Sequence, residues 1–155
     1  DLDAGILQYL MNKYDMNIDT MLDILNKKSG VQGVSGVSSD FRDLENAHKE
    51  GNERAGLAVD MFNYGVKKLI GAYAAAMGGV DAIIFTAGVG ENSGFVRSLI
   101  CKYFGYLGVA LNEEENEKRG EALIVSTKDS RTKVLVIPTN EELAIARETA
   151  ALVQK

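Results

Sequence analysis

Residues 81–94 read DAIIFTAGVGENSG, an apolar run followed by a glycine-rich turn. An amphipathic stretch, GFVRSLICKYFGYL, begins at Gly94. This order predicts a strand within residues 80–87, then a turn, then a helix whose apolar residues recur at helical spacing. Because the apolar run is unbroken, we expect the strand to be buried on both faces. A glycine turn between a strand and a helix is a common phosphate-binding arrangement, since its backbone N–H groups are free to bind an anion.

The glycine turn lacks the residues of two standard phosphate-binding loops. A P-loop ends in Gly-Lys-Ser/Thr, whereas Gly90 is followed by Glu-Asn-Ser, and a Rossmann dinucleotide loop has glycine where Ser93 stands. Gly88 and Gly90 are expected to bend the chain at positive φ and to let a ligand approach the backbone. Asn112 or Glu113 would be the ribose-binding residue of a dinucleotide site, so that alternative stays open. A purely structural turn, with Asn92 or Ser93 as a helix N-cap, stays open too.

A second segment, PTNEELAIAR at residues 138–147, follows a predicted strand and begins a predicted helix. Thr139 and Glu142 have the spacing of a capping box, in which each side chain binds a backbone N–H of the first turn. Glu141 has two interpretations. It complements the positive end of the helix dipole, or it faces a cleft and binds Mg²⁺, which prefers oxygen ligands and retains several waters.

A third segment, SSDFRDLENA at residues 38–47, also has two interpretations. It predicts an ordinary helix start, capped by Ser39 or Asp40. It also places an aromatic ring, Phe41, beside the guanidinium of Arg42 and the carboxylate of Asp40, groups that suit stacking on a base and polar contacts to a nucleoside.

The remaining pattern indicates an α/β protein, with helices between strands. The Gly- and Ser-rich residues 27–39 predict a loop, with one short strand at its centre as an alternative. Residues 52–77 predict a long helix, one face of which carries Phe62, Val66, Leu69, Ile70, Tyr73 and Met77. Further helices are predicted over residues 1–27, 39–51 and 140–153, and short strands over 109–111, 123–126 and 134–137.

Composition limits the functional classes. The chain has 155 residues, enough for one domain with a substantial core. A formal net charge of −5 argues against broad binding to nucleic acids or membrane surfaces, and no run approaches the roughly 20 apolar residues of a membrane span. Cys101, the one cysteine, excludes an internal disulfide and is predicted to be buried. His48, the one histidine, lies on a polar stretch and is predicted to be solvated, so no Ser–His–Asp triad is supported.

Taken together and in this order, the three segments resemble the C-terminal portion of acetate kinases. The resemblance rests on SSDFRDLENA, on FTAGVGENS followed by VR, and on VIPTNEELAIARET, with LGVALNEEENEKRG as further support. It runs along essentially the whole chain. It implies an actin-like ATPase (ribonuclease H-like) fold, in which a mixed sheet is flanked by helices, and it identifies residues 1–155 as a C-terminal nucleotide-binding domain. The implied reaction is reversible phosphoryl transfer from ATP to acetate, giving acetyl phosphate and ADP, with Mg²⁺.

The resemblance also implies which residues bind the nucleotide and the metal. Glu141 is the residue implied to bind magnesium. The residues implied to lie near the adenosine are Asp40, Phe41 and Arg42. The residues implied to form the second nucleotide-binding loop, which packs on adenine and ribose, are Gly88, Val89, Gly90, Glu91 and Asn92.

The catalytic residues of this family are expected upstream of the present chain. Asp1-Leu2-Asp3 resembles the residues that follow a catalytic arginine of the family, so we expect the chain to be a fragment and assign it no catalytic residue. The N-terminal part that binds acetate would be missing. Since phosphoryl transfer depends on positioning and charge neutralisation at the transferred group, the isolated chain is expected to bind nucleotide without turnover.

Alternatives remain at the level of the sequence. A propionate or butyrate kinase of the same family is a close alternative, because the acyl pocket would lie outside this chain. A non-catalytic nucleotide-binding module and a Rossmann-type NAD-binding domain are the alternatives from other classes. The resemblance further implies a cytoplasmic homodimer.

Overall fold

The computed structural model describes residues 2–154. Within them the chain forms two compact units, one running from the N-terminus to Phe62 and one from Asn63 onward. The first unit is helical, and the second combines helices with a small mixed sheet. The α/β class is confirmed, whereas a single nucleotide-binding domain over residues 1–155 stays a prediction.

Short helices make up most of the first unit. The loop predicted over residues 27–39 is wrong in its centre, where residues 30–35 form a helix. The glycine of that centre, Gly33, has a packing reason, because a Cβ there would lie 2.8 Å from the carbonyl oxygen of Lys28. Gly36 then ends the helix in the left-handed region, with a φ of 67°. The elements are α1 (Ala4–Tyr14), α2 (Ile18–Asp23), a π-helical segment (Ile24–Lys28), α3 (Gly30–Ser35), α4 (Phe41–Lys49) and the first part of α5 (Glu53–Ala76).

The second unit begins at Asn63, within α5, and has a three-stranded sheet. Helix α5 confirms the long helix predicted over residues 52–77. The further elements are β1 (Ala82–Phe85), α6 (Ala87–Asn92), α7 (Gly94–Cys101), a 3-10 turn (Gly105–Leu107), α8 (Glu113–Asn116), β2 (Leu123–Ile124), β3 (Lys133–Val136) and α9 (Glu141–Val153). The strand predicted at residues 109–111 is reduced to one bridge, which pairs Leu111 with Ser126.

The sheet has the strand order β1-β3-β2. Strands β1 and β3 are parallel, with Ala82 opposite Lys133 and Phe85 opposite Val136, and β2 joins β3 in the antiparallel sense. Parallel neighbours end at the same edge of a sheet. The segments that leave β1 and β3 therefore start side by side, although they are far apart in the sequence.

Burial along β1 alternates, so the predicted burial of both faces is wrong. Ile83 and Phe85 are buried, whereas Ile84 is 55% exposed. The exposed Ile124 of β2 indicates that one face of the sheet lies open within the described residues. An apolar run has the same composition whether or not its own chain covers the second face, so the sequence could not distinguish these cases.

The face of α5 predicted to be apolar is only partly buried. Leu69, Tyr73 and Met77 are exposed, whereas the small residues Ala58 and Ala74 are buried. Cys101 is buried as predicted, and burial raises the pKa of its thiol to about 12. Within residues 2–154, none of the helices combines the length and apolar character that crossing a membrane requires.

Candidate functional site

The parallel pairing of β1 and β3 brings two of the predicted motifs together. The backbone N–H of Ile137 donates to the carbonyl of Phe85 over 2.9 Å, which extends the pairing past the last residue of β3. The chain then enters α6 on one side and α9 on the other. This is the carboxyl edge of the parallel pair, the position at which open α/β sheets bind their ligands.

A cleft of about 420 Å³ opens at this edge. Its walls come from the start of α6 and from the start of α9, both in the second unit. The lining residues are Ala87, Gly88, Thr139, Asn140, Glu141 and Glu142. Gly88 and Glu141, both predicted site residues, thus line one cavity.

The glycine-rich segment is helical, and the expected positive φ at Gly88 and Gly90 is wrong. The left-handed residue is Ala87, with a φ of 57°, an uncommon conformation for a residue with a Cβ. Gly90 lies against the end of β1, where an added Cβ would sit 3.4 Å from Phe85. Gly88 is exposed and has open space around it, with no atom within 4 Å of an added Cβ. Gly88 is therefore the glycine that leaves room in the cleft.

Glu91 joins α6 to the segment before α9. Its Oε1 accepts a hydrogen bond from the backbone N–H of Thr139 at 2.8 Å and another from the Thr139 hydroxyl at 3.1 Å. These bonds, and above all the one from the backbone N–H, hold the pKa of Glu91 below its ordinary value. Glu91 thus remains ionised at neutral pH and bound to Thr139.

The predicted capping box of α9 is wrong, because Thr139 is bonded to Glu91 instead of capping the helix. Thr139 binds Glu91, and the N-cap is Asn140, whose Oδ1 accepts from the backbone N–H of Leu143 at 2.9 Å. Asn92, at the end of α6, donates from Nδ2 to the carbonyl of Gly88 at 2.8 Å. The N-cap of α7 is Ser93, as the structural interpretation predicted.

Arg97 has a role that the sequence pattern does not indicate. Its side chain is completely buried. Nη1 donates to the carbonyl of Gly90 at 2.8 Å and to that of Glu91 at 2.9 Å, so the guanidinium holds the last turn of α6. Burial lowers the pKa of Arg97 from its ordinary value, and within residues 2–154 its hydrogen-bond partners are amide and carbonyl oxygens rather than a carboxylate.

Asn116, also completely buried, is the second partner of Arg97. Its Oδ1 accepts from Arg97 Nε at 2.8 Å, and its backbone carbonyl accepts from Nη2. Its own Nδ2 donates to the carbonyl of Gly94 at 2.9 Å and to Ser98 Oγ at 2.9 Å. The only available sequence signal was the place of Arg97 on the buried side of α7, next to Val96 and one turn before Cys101.

Asp40, Phe41 and Arg42 lie together in the first unit, at the start of α4. Asp40 is the N-cap, and its carboxylate accepts from the backbone N–H of Arg42 and from the guanidinium, with Nη2 2.6 Å from Oδ2. These side-chain and backbone hydrogen bonds lower the pKa of Asp40 to about 2. The ring of Phe41 packs edge-on against Phe62, with 4.6 Å between centroids. The guanidinium of Arg42 remains largely exposed.

A metal at the cleft would have few protein ligands. Glu141 is exposed and is the first residue of α9. Among the residues that the structure describes, no three His, Cys, Asp or Glu side chains group as metal ligands. Such a donor set fits Mg²⁺, which is commonly held by one or two carboxylates together with water and substrate phosphates. It does not fit a structural zinc site.

Comparison with known proteins identifies the family. The model of the acetokinase family matches residues 1–147. The chain belongs to the acetokinase family. An acetate kinase of Agathobacter rectalis is 60% identical over 154 residues, which cover 99% of this chain and 39% of that protein. The crystal structure of Porphyromonas gingivalis acetate kinase superposes with a TM-score of 0.88 at 46% identity, covering 99% of this chain and 39% of the other.

A solved propionate kinase of Francisella tularensis is similar as well, with a TM-score of 0.84 at 31% identity over 96% of this chain and 38% of the other. The chain therefore spans about two fifths of the length of these relatives. As the resemblance implied, it has the actin-like ATPase fold, and its relatives are phosphotransferases. The Rossmann-type alternative is wrong, because the solved structures that superpose on this chain are kinases with the actin-like ATPase fold.

Proposed function

We propose that this chain is the nucleotide-binding part of an acetate kinase, which transfers the γ-phosphoryl group of ATP reversibly to acetate to give acetyl phosphate and ADP. The observation that carries the proposal is the cleft at the sheet edge, in which Gly88 and Glu141 line the same cavity. An open glycine and a carboxylate side by side suit a nucleotide that is bound together with a divalent cation. The proposed setting is a cytoplasmic homodimer.

Each of the two units carries a segment whose residue types suit a nucleoside. Gly88, with open space above it, allows adenine or ribose to approach the backbone of α6, and Val89, Gly90 and Asn92 belong to the same short helix. In the first unit, Arg42 offers an exposed planar guanidinium that is suited to stacking on a base. Asp40 fixes that guanidinium, and Phe41 anchors the start of α4 against Phe62.

Magnesium would be held by Glu141, with water and phosphate oxygens as its other ligands. When bound, the ion neutralises charge on the phosphates. The role of this chain is therefore to orient the nucleoside and to direct the phosphate end toward Glu141, since phosphoryl transfer depends chiefly on positioning. The groups that bind acetate and stabilise the transferred phosphoryl are proposed to belong to other parts of the enzyme, and we assign this chain no catalytic residue.

A propionate kinase is the second candidate, because a solved propionate kinase shares the fold of this chain. The two candidates differ in the acyl pocket, for which this chain supplies no proposed residue. A non-catalytic nucleotide-binding module is the third candidate. It binds nucleotide in the same cleft, but it has no acyl acceptor in its complete form.

We expect Gly88→Val to fill the cleft and to lower the affinity for ADP by about tenfold or more, a loss of roughly 1.4 kcal/mol. The site has room for the side chain and a helical backbone, so stability should change by less than about 1 kcal/mol. Because the chain has no tryptophan, binding is measured with a fluorescent N-methylanthraniloyl derivative of ADP. Gly65→Val is the matched control, since Gly65 is also an exposed glycine inside a helix with open space around it. Equal affinity of both variants for ADP would contradict the assignment of the cleft.

The purified 155-residue chain is expected to bind ADP but to form no acetyl phosphate from Mg-ATP and acetate. The physical reason is that it offers a nucleoside site and one proposed metal ligand, without groups to hold the acceptor. The hydroxamate assay for acyl phosphates checks the result, with a complete acetate kinase as positive control. Turnover by the chain alone would show that the acceptor site lies within these residues.

A further inference from the structure

Glu91 is held from two sides by groups of different elements. Its backbone carbonyl, together with that of Gly90, accepts from the buried guanidinium of Arg97. Its carboxylate accepts both hydrogen bonds of Thr139. The buried Arg97 thus fixes the backbone of Glu91, and the side chain of Glu91 in turn fixes Thr139.

Thr139 lies two residues before Glu141, in a segment with little other support. Helix α9 has no buried residue, and Glu141 and Glu142 at its start are both exposed. Asn140, between Thr139 and Glu141, uses its side chain to cap α9 itself. The two bonds to Glu91 therefore connect the start of an exposed helix to the buried part of the unit.

We propose that Glu91 is a positioning residue, which sets the place of Glu141 in the cleft by holding Thr139. This inference rests on the proposed function and departs from the expectation that Glu91 itself contacts the nucleotide. Its Oε1 already accepts two hydrogen bonds from Thr139, one from the backbone N–H and one from the hydroxyl. Glu91 acts through the backbone of residues 139–141, in the way that outer-shell groups orient metal ligands.

The proposal is tested by measuring the affinity of the chain for the fluorescent ADP derivative with and without Mg²⁺. Glu91→Ala is expected to reduce the gain in affinity that Mg²⁺ confers by about tenfold, as is common for outer-shell partners, and to change the affinity without Mg²⁺ much less. Thr139→Val, which removes only the hydroxyl bond, should have a smaller effect. Thr139→Ser, which keeps both donors, should retain the wild-type gain in ADP affinity with Mg²⁺.

A double substitution separates a positioning role from a merely structural one. In the Glu141→Gln background, Glu91→Ala should have no further effect on the Mg²⁺-dependent gain, because the residue through which it acts is already altered. Thermal unfolding followed by circular dichroism checks that the variants are folded. Glu142→Ala serves as a control for removing an acidic side chain at the cleft, and it should leave the bonds between Glu91 and Thr139 intact.

Two results would overturn the proposal. If Glu91→Ala lowers ADP affinity equally with and without Mg²⁺, Glu91 is a nucleotide ligand. If its effect adds fully to that of Glu141→Gln, the two residues act independently. A wild-type chain that binds no ADP under either condition would overturn the proposed function as well, which distinguishes that failure from the failure of the positioning role alone.

Discussion

Replacing Arg97 with methionine is expected to lower the free energy of unfolding by about 3–5 kcal/mol. Methionine approximates the length of the arginine side chain but has no donors. It would leave the carbonyls of Gly90 and Glu91 and both oxygens of Asn116 without the guanidinium that now binds them. Each buried acceptor left without a partner costs roughly 1–3 kcal/mol, reduced where water enters. Urea unfolding followed by circular dichroism measures the loss.

Arg131→Met is the matched control for Arg97. The guanidinium of Arg131 also donates to two backbone carbonyls, those of Leu107 and Tyr106, but the residue is exposed. Water replaces its bonds, so the expected loss is below about 1 kcal/mol. Equal losses for the two variants would mean that burial of Arg97 does not determine its contribution. Arg97→Lys should retain only part of the stability, because an ammonium group cannot reproduce the planar fork of donors.

Glu141→Gln is expected to remove most of the effect of Mg²⁺ on nucleotide binding, a reduction of about tenfold or more. The amide keeps the size of the side chain but loses the charge that a hard divalent cation requires. Affinity for ADP without Mg²⁺ should not fall. Direct binding of Mn²⁺ in the presence of ADP, measured by electron paramagnetic resonance, provides a second readout that is independent of turnover.

Glu142→Gln is the control for this experiment, because the adjacent carboxylate lines the same cleft. It should change the Mg²⁺-dependent gain by less than about twofold if Glu141 alone binds the ion. A large effect of substitution at residue 142 and none at residue 141 would instead identify Glu142 as the metal ligand. Chelation of Mg²⁺ with EDTA should lower the affinity of the wild-type chain and leave that of Glu141→Gln unchanged.

Local sequence patterns were sufficient for the main helices. Helix α5 follows from a strong helical repeat, and α4 and α7 begin at the side chains predicted to cap them, Asp40 and Ser93. These features depend on residues within one or two turns of each other. The family was likewise recognisable from three short segments, because each contains an unusual combination of residues at fixed spacing.

Local reasoning failed where the conformation depends on distant groups. Gly33 suggested a loop, but it permits close approach to the carbonyl of Lys28 within a helical region. Gly88 and Gly90 suggested positive φ, whereas Ala87 adopts it. Thr139 has ideal spacing for a capping box and instead binds Glu91, because a carboxylate from another element is within reach. In each case the local rule was sound and a tertiary contact overrode it.

The sequence by itself determined the helical periodicities, a strand within residues 80–87, the family and a short set of candidate site residues. The tertiary structure alone decided which of those residues share a cleft. Parallel pairing of β1 with β3 brings residues 88 and 141 together, and the bonds between Glu91 and Thr139 join positions 48 residues apart. It also decided that Arg97 is a buried centre of hydrogen bonds rather than a surface charge. The physical reason is that water satisfies any exposed polar side chain, so only packing shows which partners replace it.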